Sequence, residues 1–309
     1  SDSFPENKQG KPMGIITSGV YIGIGITLLG GGFLIDYLTE IGGVNLPLIG
    51  YLKPWQATFM IVGIPGLVLA FAALYLKEPK RIEEQAGIDK TGNKKNVFLH
   101  LKEHKRTLIP MFGGLIFMAL IFYSFSFWAP TMMIRAFEIS LSEVGFILGI
   151  ITILSSITGT ILAGSSVDYL RNKNYSDAPV RAAMIAVILA LPPIIGLSFI
   201  HSELGAWICI ALYLLFISSF APLGLLAISG VSTGDVKGQA AAVHAFLMMA
   251  FGLSLGPQLT AFFTDYIFVD PKLLINSISL TGLIVLPISA LLFKISLSRY
   301  RESSKNLLT

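Results

Sequence analysis

Eight stretches of about 20 predominantly apolar residues run through this chain, near residues 13–36, 55–76, 108–130, 143–165, 182–200, 205–229, 239–264 and 274–293, and none holds a lysine or arginine. A helix needs about 20 residues to cross the hydrocarbon layer of a bilayer. Because lipid offers no partner for backbone N–H and C=O groups, a spanning segment must satisfy them internally. Barrel strands would show short alternating segments, which are absent here. The expected fold class is therefore all-α, a polytopic transmembrane helical bundle of eight spans. Composition agrees: with 54% hydrophobic and 13% charged residues, there is too little polar material to coat a soluble domain of this length.

The cations set the orientation. The N-terminal segment and every second connection after it hold 19 of the 22 Lys and Arg, nine of them between residues 77 and 106, whereas the alternate connections hold only Lys53, Arg135 and Lys272. Basic loops stay on the cytoplasmic side, so both ends of this sequence and the linker are expected there, in a plasma membrane of the bacterial inner-membrane kind. The net charge of +4 is then an orientation signal, and no nucleic-acid partner is implied. Membrane lipid is an expected partner: Asn96–Arg106 either lies on the membrane surface, with Val97, Phe98 and Leu101 inward and Lys102, Lys105 and Arg106 among headgroups, or is only the first turn of the next span.

An internal repeat divides the chain. A shift of 229 residues places Lys8 on Lys237, Gly23 on Gly252, Phe33 on Phe262, Asp36 on Asp265 and Tyr37 on Tyr266. A shift of 222 then places Pro65 on Pro287 and Lys77 on Arg299. Spans one and two read as copies of spans seven and eight, so residues 1–77 are expected to be the last two helices of an N-terminal six-helix half lacking about four. Residues 78–107 would form a cytoplasmic linker, 108–293 a complete C-terminal six-helix half, and 294–309 a cytoplasmic tail.

Two six-helix halves joined by a basic linker resemble the major facilitator superfamily. The segment "FPENKQGKPMGIITSGVYIGIGITLLGGGFLID" resembles the family's fourth connector and fifth helix, with Thr27-Leu28 where a Gly-Pro is usual and Gly256-Pro257 supplying that dipeptide in the other half. "GSSVDYLRNK" resembles its connector signature at Gly164, Asp168 and Arg171 and lacks the second glycine. "FWAPTMMIRAFEISLSEVGFILGII" resembles the Spinster-like branch, whose members include lipid carriers. The resemblance implies a secondary active transporter that moves a small solute by alternating access. It also implies that Asp168, with Arg171 and Gly164, takes part in gating by capping helix ends across the cytoplasmic side.

The remaining candidates are read from residue types. Glycine lets helices approach closely in lipid, so Gly19, Gly23, Gly31 and Gly32 in the first span, and Gly252, Gly256 and Pro257 in the seventh, are expected at packing faces, static or sliding. His244 lies inside a span, where an ionisable group is a functional candidate; it takes a proton or solute, or else snorkels to the interface or hydrogen-bonds a neighbouring helix. Gln258 follows Pro257, which loosens the helix, and either orients a ligand or bonds an adjacent helix. Tyr123, Ser126 and Phe127 share a face with Pro130, suited to a largely neutral or amphipathic solute or to plain packing. A coupling proton or sodium ion is a further expected partner. Ser140 and Glu143 read as a capping box, and Cys209 as a small buried hydrophobe.

No enzyme is expected. The histidines, at 100, 104, 201 and 244, have no paired cysteines, so no metal or other cofactor is implied. Gly23-x-Gly25 lacks the strand and third glycine of a nucleotide loop. A receptor or scaffold on the same fold is the alternative to a carrier.

Overall fold

A computed structural model describes residues 6–47, 50–75, 97–232 and 234–306. The chain runs α1 (Gly10–Glu40), a hairpin of β1 (Val44–Leu46) and β2 (Gly50–Leu52), α2 (Pro54–Ala73), α3 (Val97–Glu103), α4 (Lys105–Phe137), α5 (Leu141–Asn172) and α6 (Ala178–Gly196). It continues through α7 (Glu203–Ile217), α8 (Phe220–Ser229), α9 (Gly234–Leu247), α10 (Ser254–Phe262) and α11 (Leu274–Asn306), with π-helical segments at Met248–Leu253 and Phe263–Phe268 on either side of α10. Seven of the described helical stretches are long and apolar enough to cross a membrane. The eighth expected span corresponds to the 20-residue α2. The fold is an all-α polytopic bundle.

Local chemistry sets the helix ends. Ser140 Oγ accepts the Glu143 N–H to start α5 and Ser202 Oγ accepts the Gly205 N–H to start α7, each satisfying one orphan donor. The connection between α1 and α2 contains an antiparallel hairpin that hydropathy did not show, with Asn45 opposite Tyr51. Gly42, Gly43 and Gly50 hold positive φ there, a conformation open to glycine without a Cβ clash.

Two spans are interrupted. The sixth breaks between α7 and α8 because Pro222 has no N–H to give the Ser218 carbonyl four residues earlier. The Tyr21 hydroxyl of α1 donates to that carbonyl instead, at 2.7 Å. In the seventh, Pro257 likewise deprives the carbonyl of Leu253, the last residue of the first π-helical segment.

The glycine face of α1 differs from the expected one. A Cβ added at Gly19, Gly23 or Gly31 would meet nothing within 4 Å. The helix is rotated so that Gly10, Gly14, Gly25 and Gly32 lie against α5, and Gly145, Gly149 and Gly164 return the contact. Of the four expected positions only Gly32 packs, its added Cβ 3.1 Å from Ser142 Cα. In the seventh span Gly252 and Gly256 do lie against α4, at Ala119 and Leu120.

The segment expected as a tail is a helical extension, since α11 continues to Asn306. It is clasped at that end by three contacts. Arg301 Nε bonds the buried Asp177 carboxylate at 2.8 Å, which also receives Arg181 at 3.1 Å. The Tyr300 hydroxyl donates to the Ala227 carbonyl at 2.9 Å, and the Ser303 and Thr107 hydroxyls lie 2.9 Å apart. Of the linker, residues 78–96 fall outside the described set, as do the side chains of Val97 and Phe98.

Candidate functional site

The connector residues come together first. Asp168 sits in the last turns of α5 and reaches across to the start of α1, where Gly10 N–H donates to Oδ1 at 2.7 Å and Lys11 N–H to Oδ2 at 2.8 Å. The residue before α1, Gln9, makes no side-chain cap of its own, so the orphan donors of this helix are met by a carboxylate from another helix. Negative charge at a helix N-terminus is also favoured by the macrodipole. Gly164, one turn earlier on α5, makes the approach possible: a Cβ there would run into the Gly10 carbonyl. Arg171 is half-buried a turn further on. The three signature residues thus occupy one end of the α1–α5 contact.

Midway along α4 lies a different constellation. Ser124 Oγ is 2.6 Å from Thr260 Oγ1, which is 2.8 Å from Thr281 Oγ1, so one chain of buried hydroxyls joins α4, α10 and α11. Thr264 donates to Ser277 beside it at 2.8 Å. Trp128 Nε1 donates to the Pro257 carbonyl at 2.9 Å; that tryptophan is a tie between helices. Tyr123 is half-buried, its ring against Phe122 and Phe220, and Phe122 in turn meets Tyr21 edge-on. Ser126 and Phe127 are exposed on the next turn. Tyr123, Ser126 and Phe127 therefore form an uncharged, amphipathic surface backed by a rigid hydroxyl and aromatic layer.

Two expected residues stand apart from that surface. Gln258 is exposed; two residues from the α4-facing Thr260, it lies about 200° round the helix, turned away from α4. His244 is 3% exposed and packs at a tilt against Phe112 with ring centroids 5.0 Å apart, beside Gly224. Phe112 is about 16 Å along α4 from Tyr123, so His244 belongs to another level of the bundle. Its Nε2 has no hydrogen-bond partner, and neither the snorkelling nor the helix-bonding alternative is realised through that atom.

Sequence reasoning missed Tyr21, Trp128, the hydroxyl chain and the break at Ser218. One signal was present: "ISSFAP" places a serine pair and a proline inside an apolar span, a combination that frees and re-satisfies backbone carbonyls in lipid.

Comparison with known proteins places these features in context. The model of the Major Facilitator Superfamily (MFS) matches residues 1–257. An MFS-type efflux pump of Mycolicibacterium smegmatis (strain ATCC 700084 / mc(2)155) is 23% identical over 267 residues, covering 85% of this chain and 57% of that protein. The chain thus spans a little more than half the length of that relative. Among solved structures, a bacterial homolog to the human lysosomal transporter Spinster, in an inward-facing and occupied conformation, matches 98% of this chain and 71% of its own, with a TM-score of 0.57 and 16% identity. The inward-facing and unoccupied form matches 94% and 69%, with a TM-score of 0.59 and 18% identity.

Proposed function

The chain belongs to the Major Facilitator Superfamily, and on that premise we propose that it serves a secondary active transporter moving a small, neutral or amphipathic solute by alternating access. In this reading residues 1–77 belong to one half, 108–293 form the other, and 78–107 link them on the cytoplasmic side. The observation that carries it is Asp168: a carboxylate of one half holds two backbone N–H groups of the other. Such a contact is a natural two-state element, made when the halves meet at that end and broken when they part.

The solute class follows from the α4 surface. Tyr123, Ser126 and Phe127 offer a phenol, a hydroxyl and an aromatic face with no charge among them, which suits an uncharged or amphipathic molecule. For a coupling proton, His244 is the acceptor in this reading, supported by its burial and its unpartnered Nε2. Its distance from Tyr123 makes any coupling indirect, through the packing of α4 against α8 and α9.

Counterflow tests the reading. Proteoliposomes of the full-length protein are preloaded with each of a panel of neutral and amphipathic solutes and diluted into tracer of the same solute. Transient tracer accumulation above equilibrium is expected for at least one member. Simple equilibration with every member, in the presence of proton and sodium gradients of either sign, overturns it.

A further inference from the structure

A cleft of about 490 Å³ opens between α3, α4 and α9, and nothing in the transport reading uses it. Its floor is a stripe of α4, Ile109 and Ile116 with Phe112 between them, faced by Val243 and Leu247 of α9. These positions recur every three or four residues and so stack along one helix face. Gly113 also lines it. At one end the lining changes character: Lys102 of α3 and Lys105 at the start of α4 are the charged residues among the described ones that line it. From Lys105 to Ile116 the stripe runs about 16 Å along the helix.

We propose that this cleft binds one anionic phospholipid, with its phosphate between Lys102 and Lys105 and an acyl chain lying along Ile109, Phe112 and Ile116. Three features select that occupant. The cations sit together at the mouth and the apolar wall leads away from them, which is the polarity of a lipid entering from its leaflet. Between Lys102 and Arg106 the chain carries three cationic side chains against the single carboxylate of Glu103, so the mouth favours an anion over a zwitterion. Ile109 is 68% exposed, so the wall is open to an acyl chain. The size also fits, since ligand clefts commonly enclose about 300–1,000 Å³. The site lies a full helix segment away from Tyr123, so it is distinct from the proposed solute surface. Through Phe112 it abuts the buried His244 ring, so an acyl chain there would be felt by the packing of α9 on α4.

The full-length protein is reconstituted into phosphatidylcholine nanodiscs containing phosphatidylglycerol that carries a diazirine at its acyl end, irradiated and digested. Adducts are expected in the peptides spanning residues 109–116 and 243–247, competed by unlabelled phosphatidylglycerol and not by phosphatidylcholine. Lys102→Gln with Lys105→Gln should weaken that competition about thirtyfold while the melting temperature in detergent stays put. Ile109→Trp, a change at an exposed position, should block the adduct by filling the cleft with both lysines intact. Equal labelling by a diazirine phosphatidylcholine would reduce the cleft to ordinary annular lipid. Adducts confined to other surfaces, or a cleft shielded by another segment of the polypeptide, would equally overturn the proposal.

Discussion

In the proposed transport cycle one carboxylate, Asp168, carries the contact between the halves. Each oxygen accepts a backbone N–H, and hydrogen bonds to a charged group are worth about 1.5–3 kcal/mol. Asparagine keeps one acceptor but sets its amide donor against the other N–H. Asp168→Asn should therefore slow counterflow about tenfold or more, leave apparent solute affinity within about threefold, and raise the reactivity of a cysteine at Ser126 from the cytoplasmic side. Unchanged turnover with unchanged reactivity would make the carboxylate a static cap. Tyr21 allows a sharper test, because its hydroxyl answers a carbonyl freed by proline. Tyr21→Phe should destabilise the protein by about 1 kcal/mol. With Pro222→Ala, residue 222 regains an N–H for the Ser218 carbonyl and the cost of Tyr21→Phe should shrink. Equal costs in both backgrounds, read from thermal unfolding of the four variants, would disconnect the two residues.

At the scale of the element, α1 shows how a glycine-rich helix survives in lipid. It stays regular over 31 residues because its glycines serve close approach. Its glycine face packs on α5, and near its other end Leu38 packs on Leu52 and Ala57. Gly14→Ala would drive a methyl into the Thr160 backbone carbonyl, whereas Gly23→Ala projects into open space. The first substitution should lower the melting temperature and weaken disulfide trapping between cysteines placed on α1 and α5. The second should be neutral or slightly stabilising, since alanine is the better helix former. If both behave alike, the rotation of α1 described here is wrong. The repeat partner of α1 took another course: the segment from Gly234 to Phe268 carries two π-helical segments and Pro257, a loosened helix where α1 is continuous.

For the whole molecule, the cation distribution predicts that the basic connections and the hairpin lie on opposite sides of the membrane. Cysteines at Lys173 and Glu302, both exposed, should react with an impermeant thiol reagent from the cytoplasmic face alone, and one at Asn45 from the other face alone. Glu302 is the informative position at the C-terminal end, because neighbouring Ser303 is buried against Thr107. Labelling of all three from a single face would refute the eight-span arrangement. The clasp around Asp177, Arg181 and Arg301 ties the end of α11 to the start of α6.

The helical nature and approximate places of the spans and the cap at Ser140 were legible in the sequence. Each depends on residues close together in the chain: apolar length against bilayer thickness, a hydroxyl three residues before a free N–H. The signature at Gly164, Asp168 and Arg171 was legible too, because a short motif carries its own spacing. Tertiary structure alone decided how each helix is turned about its axis. A span that is apolar on every side has no polar face to set that rotation, and in lipid no hydrophobic force sets it either. For that reason Gly23 and Gly25 read alike in sequence and only Gly25 touches α5, Tyr21 reaches Ser218 across 197 residues of chain, and His244 lies on Phe112, apart from Tyr123.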